Sequence, residues 1–337
     1  MAKYKKVRLA DIAEKLNISV VTVSKALSDK DGVGIELRDK IKKVAEDMGY
    51  ISKNKNNDSD KTGTVGVLIP SHFLSDSNSF YWTMYNAVAA NLLSKGFYCI
   101  MEMLTVEDES ACRLPSLIAE KRVDGMIILG QVSSDYVATL NKNDSPFVFL
   151  DFYNAFLDMD SVVSDNFYDM FLLTSYLIEQ GHKKIRFVGS FNSTSSIQDR
   201  FMGFMKAMII NNLEVSVKEI INDRDSSGSF IPLELPDAEK MPTAFVCNAD
   251  ITAIRLINLL KEKGFSVPDD VSVVGFDNFF TQDISAPTLT TVAVDFVAMA
   301  NTAVDIVLRK IAGKHYKHGR NVIGGKILLR NSVKKIF

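Results

Sequence analysis

The chain has 337 residues, 47% of them apolar, and a formal net charge of −2, enough for more than one core and without the 18 consecutive apolar residues that a membrane helix needs. No apolar run follows the basic residues Lys3, Lys5, Lys6 and Arg8, so the expectation is a soluble, unexported, cytoplasmic protein. Cys99, Cys112 and Cys247 lie far apart with no CxxC spacing, which argues against a disulfide framework or a zinc site, and no GxGxxG, phosphate-loop, GxSxG or HExxH pattern points to an enzyme or a cofactor.

The near-neutral total hides an asymmetry. Residues 1–55 hold 13 Lys and Arg against 8 Asp and Glu, whereas residues 56–337 hold 26 against 33, so only the amino-terminal part suits a polyanion. Leu9, Ile12, Ala13 and Leu16 form one stripe of an amphipathic helix that breaks at Asn17. Ser19 is placed to cap a second helix, with Val23, Ala26 and Leu27 facing inward. A third stripe, Leu37, Ile41, Val44 and Met48, closes at Gly49. If the second helix buries that face, Val20, Val21, Ser24 and Lys25 share the outer one. Two valines facing outward suit either a neighbouring element or thymine methyls in a DNA groove; Lys25 can donate to guanine, and Ser19 and Thr22 can bond phosphates at the helix N-terminus.

Residues 8–28, Arg-Leu-Ala-Asp-Ile-Ala-Glu-Lys-Leu-Asn-Ile-Ser-Val-Val-Thr-Val-Ser-Lys-Ala-Leu-Ser, followed by a helix ending in Gly49 and Tyr50, closely resemble the headpiece of the lactose-repressor (LacI) family. The resemblance implies that Val20, Val21 and Lys25 read bases in the major groove. One departure stands out. Family members usually continue with a hinge helix whose leucine wedges into the minor groove, but residues 53–62 here are polar, Asn-rich and without such a wedge. They read as a linker, in which Lys53, Lys55 and Lys61 are available to phosphates, and weaker DNA kinking is expected.

From residue 63 onward, apolar runs at 65–69, 98–103, 126–129, 147–150, 185–188, 244–247 and 271–276 alternate with helical stretches, the pattern of βαβ crossovers and parallel sheets. Such sheets bind ligands beyond the carboxyl ends of their strands. The residues there are polar: Ser71, His72, Gln131, Asp151, Asn248, Asp250, Asp277 and Asn278, with Asp165 after the short pair Val162 and Val163. Mostly acceptors, they suit a polyhydroxylated ligand, or else they cap the helices that follow.

The same resemblance continues here through the segments at 63–70, 123–128, 181–189, 199–204 and 267–277. It implies an N-terminal all-α helix-turn-helix headpiece, residues 1–52, and an α/β two-lobed periplasmic-binding-protein-like effector domain with parallel sheets, residues 63–337. Its N-lobe would span about 63–162 and 293–322, and its C-lobe about 163–292 and 323–337. Carried over by the resemblance, Arg200 donates to ligand hydroxyls or a carboxylate, Asp277 accepts from them, and Asp165 with Asn248 or Asp250 fills further pocket positions. Tyr81 or Trp82 would stack on a sugar ring. The bland alternatives are a surface ion pair for Arg200 and ordinary core for the aromatics.

The function implied is a repressor of carbohydrate-utilisation genes: a homodimer on double-stranded operator DNA, controlled by a small sugar-like effector. A purine- or nucleoside-responsive regulator and a sugar-binding protein without a transcriptional role stand as alternatives. No heptads follow the strand at 326–330, so no coiled-coil tetramer is expected. His315 and His318 lie three apart without an acidic third ligand, which makes a metal site unexpected, and His182 reads as structural.

Overall fold

The structure is a computed structural model that describes residues 7–27, 32–48, 50, 61–74, 80–154, 156–225, 228–279 and 288–336. The chain divides into two compact units, Met1–Thr62 and Gly63–Phe337. Gly49 and residues 51–60, on which the expected helix end and most of the expected linker fall, lie outside the described residues.

The first unit holds three helices, α1 (Leu9–Leu16), α2 (Val20–Leu27) and α3 (Ile35–Asp47). Asp11 accepts the Arg8 N–H at 2.7 Å to start α1, and Asn17, in the left-handed region at φ 52°, ends it. The core is Ile12, Ala13, Val23, Ala26, Ile41 and Ala45, with Val33, Val44 and Met48 packed against it. The third stripe therefore differs from expectation. Ala45, one turn past Ile41, occupies the core, and Leu37, one turn before it in the first turn of α3, stays exposed.

The second unit opens with β1 (Thr64–Pro70), α4 (Phe80–Ser94), β2 (Tyr98–Leu104), α5 (Val106–Ser110), α6 (Ser116–Ala119), β3 (Gly125–Leu129), α7 (Ser134–Asn141), β4 (Phe147–Leu150) and β5 (Ser161–Ser164). It continues with α8 (Asn166–Glu179), β6 (Ile185–Val188), α9 (Ser195–Ile210), β7 (Ala244–Cys247), α10 (Asp250–Glu262), β8 (Ser272–Val274), β9 (Thr291–Ala293), α11 (Phe296–Ile311), β10 (Arg320–Ile323) and β11 (Lys326–Leu328). A six-stranded parallel sheet runs in the order β10-β5-β4-β3-β1-β2, and a three-stranded parallel sheet in the order β6-β7-β8. Strands β1, β3 and β4 are buried throughout, as strands covered by helices on both faces must be.

An antiparallel pair, β11 with β9, was not expected from the sequence. It extends the smaller sheet through the bridges Val274 with Thr290 and Asp277 with Ala293. Strand β10 pairs with β5 at the edge of the larger sheet, so the chain passes from one sheet to the other three times among the described residues. Helices α8 and α9 pack so closely that a side chain at Gly203 would collide with the Phe167 carbonyl, which accounts for glycine at this point of α9.

Candidate functional site

In the first unit, the Ser19 hydroxyl accepts the Thr22 backbone N–H at 3.0 Å and lies 2.8 Å from the Thr22 hydroxyl. This cap fixes the start of α2. With Val23 and Ala26 buried, Val20 is 45% and Val21 64% exposed, and Ser24 and Lys25 are exposed on the same side. Within this unit the two valines form an apolar surface beside a cation rather than part of the core.

In the second unit a cavity of about 1080 Å³ is lined from the carboxyl ends of strands in both sheets. His72 and Phe73 follow β1, Gln131 follows β3, Asp151 follows β4, Ser190 and Phe191 follow β6, Asn248 follows β7 and Asp277 follows β8. The loops touch across it: the Ser195 N–H donates to Gln131 Oε1 at 2.7 Å, and the Tyr153 hydroxyl donates to Asp199 at 3.0 Å.

Arg200, in the second turn of α9, is 5% exposed. Its Nε donates to Asn166 Oδ1 at 2.8 Å and its Nη1 to the Asn248 carbonyl at 2.6 Å. Its Nη2 lies 3.0 Å from Asp277 Oδ1, and the guanidinium carbon sits 3.9 Å from the centre of the Phe276 ring. Arg200 is thus a buried hub, not a surface ion pair. Its Nε–H and one Nη1–H are spent inside the protein, and the remaining N–H groups are left for a ligand.

Asp151 and Asp277 sit at φ 68° and 108°, a region that non-glycine residues avoid and that here turns a carboxylate toward the cavity from each sheet. Tyr81 donates to Asp151 Oδ2 at 3.1 Å and stacks on Phe73 with ring centres 4.2 Å apart. Asp151 Oδ1, Asp277 Oδ1 and Asn248 Oδ1 are buried without a hydrogen-bond partner; for Asp277, the ion pair to Arg200 does not aim an N–H at the oxygen. Burial pushes Asp151 up to about 7, against the pull of Arg200 and helped by Asp277. Burial likewise pushes Asp277 up to about 6, outweighing the Arg200 charge.

The structure separates the expected pocket residues into two groups. Tyr81, Arg200, Asn248 and Asp277 line the cavity; Trp82, Asp165 and Asp250 do not. Asp165 caps α8, accepting the Tyr168 N–H at 3.1 Å, so here the capping alternative holds. Asp250 accepts the Thr291 hydroxyl at 2.6 Å and the Phe279 N–H at 2.8 Å, which ties α10 to β9 and leaves Asn248 as the polar residue of that turn lining the cavity, beside Ala249. Trp82 meets Tyr85 edge to face at 5.9 Å, because one residue along a helix turns a side chain by about 100° from its neighbour Tyr81. Ser71 and Asn278 are also absent from the lining, whereas His72, Gln131 and Asp151 belong to it.

Asp223 was not expected. It is fully buried, with Oδ1 accepting the Ser190 N–H at 2.8 Å and Oδ2 accepting Asn248 Nδ2 at 3.2 Å and the Thr252 hydroxyl at 2.7 Å. It thereby orients two lining residues. The only signal in the sequence is the apolar pair Ile220 and Ile221 ahead of it; Ile221 bridges to Val188 beside β6 and makes Asp223 another residue just past a strand-like end.

Among the described residues no group of three or more metal-ligating side chains comes together, and no helix is long and apolar enough to cross a membrane. His182 is buried between the Thr243 hydroxyl and the Lys334 carbonyl, each at 3.0 Å, a structural setting that lowers its pKa through burial.

Comparison with known proteins gives a consistent picture. Residues 8–53 match the model for bacterial regulatory proteins of the lacI family, and residues 174–333 match that for a periplasmic binding protein-like domain. The HTH-type transcriptional repressor CytR of Escherichia coli strain K12 is 25% identical over 333 residues, covering 97% of this chain and 96% of that protein. A complex of the transcriptional regulator CelR with cellobiose superposes with a TM-score of 0.68 at 20% identity, covering 97% of this chain and all of that one. The lac repressor dimer bound to operator and the anti-inducer ONPF superposes with a TM-score of 0.66 at 23% identity, covering 98% of this chain. Headpiece match, binding-domain match and full-length similarity agree: the chain joins a lacI-family headpiece, residues 8–53, to a periplasmic binding protein-like domain and is similar over nearly its whole length to HTH-type transcriptional repressors.

Proposed function

We propose that this protein is a cytoplasmic, sequence-specific transcriptional repressor whose homodimer places two copies of α2 in major grooves of a near-palindromic double-stranded operator. A small effector, of the polyhydroxylated carbohydrate class, occupies the cleft between the two sheets of each copy and sets operator affinity. The observation that carries the reading is the outer face of α2, where two exposed valines and a lysine stand beside a capped N-terminus. The cellobiose held by CelR and the operator held by the lac repressor, named in those structures, support the two halves. Coupling between the sites of ~1–3 kcal/mol would change operator affinity ~5–150-fold.

The test is a binding titration on duplexes selected from a random pool. Val20→Ala with Val21→Ala should lower affinity for the selected sequence about 10-fold or more, from lost apolar contacts at roughly 0.8 kcal/mol per buried methyl-sized group. Binding to unrelated duplex and its salt dependence should hardly change, since phosphate contacts persist. Unaltered preference in the double variant would remove α2 from the role of reader.

The dimer has its own candidate surface. Leu93 on α4 and Tyr98 and Ile100 on one face of β2, the edge strand of the larger sheet, are exposed apolar side chains, and such side chains, where they cluster, mark interaction surfaces. Replacing Tyr98 and Ile100 by Asp should give a monomer in sedimentation and weaken operator binding ~10²-fold or more, because the second headpiece loses its effective concentration. A variant that still sediments as a dimer would place the interface elsewhere.

A further inference from the structure

The polar groups on the cavity floor are unequally divided between donors and acceptors. The donors there are largely spent inside the protein. Arg200 gives Nε to Asn166 and Nη1 to the Asn248 carbonyl, Tyr81 gives its hydroxyl to Asp151, and Asn248 gives its amide to Asp223. Beside the unspent N–H groups of Arg200 stand three buried oxygens, Asp151 Oδ1, Asp277 Oδ1 and Asn248 Oδ1, all on cavity-lining residues less than a tenth exposed and all without a hydrogen-bond partner.

Charge is unbalanced in the same sense. Glu109, Asp151, Asp225 and Asp277 line the cavity against Arg200, Lys218 and Arg224, and the fully buried Asp223 lies behind two of the lining residues. Arg224 is already drawn toward Asp223 at 3.8 Å and over the Phe230 ring at 4.7 Å. One carboxylate is left without a full partner. A buried polar acceptor with no donor is costly, and a buried charge with no counter-charge more so.

A sugar hydroxyl both donates and accepts, so it uses only half its capacity against three acceptors. An ammonium group donates three times, accepts nothing and brings the missing charge. We propose that the effector is an amino sugar, a hydroxyl-bearing ring whose protonated amino group is set among Asp151, Asp277 and Asn248, with its apolar ring face toward the Phe73 and Tyr81 pair. This rests on the reading of the cleft as the effector site. The raised pKa of Asp151 and Asp277 agrees with it: without a cationic ligand, the two groups hold on to protons because burial disfavours their charge.

The test is a calorimetric and thermal-shift panel on the full-length protein using glucosamine, galactosamine and mannosamine, each beside its parent hexose and its N-acetyl derivative. At least one amine should bind about 10- to 100-fold more tightly than both of its neutral counterparts, the range expected for hydrogen bonds to a charged group. Asp151→Asn, nearly identical in shape, should bind the amine and its parent alike, and Asp277→Asn serves as a second variant should the first lose its fold. A parent hexose, an N-acetyl derivative or a nucleoside that binds as tightly as the amines, or no amine binding at millimolar concentration, overturns the proposal. Operator titrations on the same samples keep the two readings distinct: sequence-specific DNA binding with a neutral cleft ligand sinks the amino sugar alone, whereas absent DNA specificity sinks the repressor.

Discussion

Replacing Arg200 by leucine should destabilise the effector domain by about 3–5 kcal/mol, the cost of removing one partner from a buried charge pair. The side chain holds Asn166 on α8, the Asn248 carbonyl after β7 and Asp277 after β8, and stacks on Phe276. Its loss strands two buried acceptors and one largely buried carboxylate. Denaturant unfolding measures this directly. Adding Asp277→Asn to Arg200→Leu should recover part of the loss, since it removes the orphaned charge, and the interaction energy of the double-mutant cycle should be clearly non-zero. Lysine should not rescue, because a single ammonium cannot reproduce two separately directed N–H contacts and a planar stack on Phe276. An Arg200→Leu protein as stable as the wild type would show that the hub carries no net stabilisation.

The ligand-free protein should be more stable at pH 5 than at pH 8. For Asp151 the ordinary value of 3.8 applies to the unfolded chain, while burial raises the folded value to about 7. Between those values the native state keeps a proton that the unfolded state has lost, so stability falls as pH rises. The contribution is fully present below about pH 4 and gone above about pH 7, a span of roughly 4 kcal/mol at 1.36 kcal/mol per unit. Asp277 and Asp169, each pushed up to about 6 chiefly by burial, act in the same direction. Asp151→Asn should therefore gain stability at pH 8, gain little at pH 4, and flatten the profile measured by chemical denaturation from pH 4 to 8. A profile unchanged by the substitution would mean that Asp151 is solvated or partnered in the folded protein.

Much of the architecture is legible from the chain because it depends on local pattern. The runs at 147–150 and 244–247 coincide with β4 and β7, since fully buried parallel strands are written as unbroken apolar tetrads, and the run at 185–188 coincides with β6 although Arg186 interrupts it. The α2 cap and the alternation of buried and exposed residues along it follow from a 3.6-residue period and one serine. The site is less legible. Polar residues after strands look alike in sequence, whether they face a ligand, as Asp151 does, or cap a helix, as Asp165 does. Asp223 is invisible by pattern, because it follows no strong strand and its partners lie 25, 29 and 33 residues away.

The sequence alone determined the headpiece, the α/β body, the family likeness and the strand ends where chemistry had to lie, all properties carried by neighbours within a few turns or one strand. Tertiary structure alone decided which of those strand-end groups share one cavity and which acceptors are left bare. It also gave Asn248 to the cavity and Asp250 to Thr291 and Phe279. The physical reason is that burial and hydrogen-bond satisfaction belong to groups brought together by packing, and packing joins residues whose separation along the chain carries no pattern.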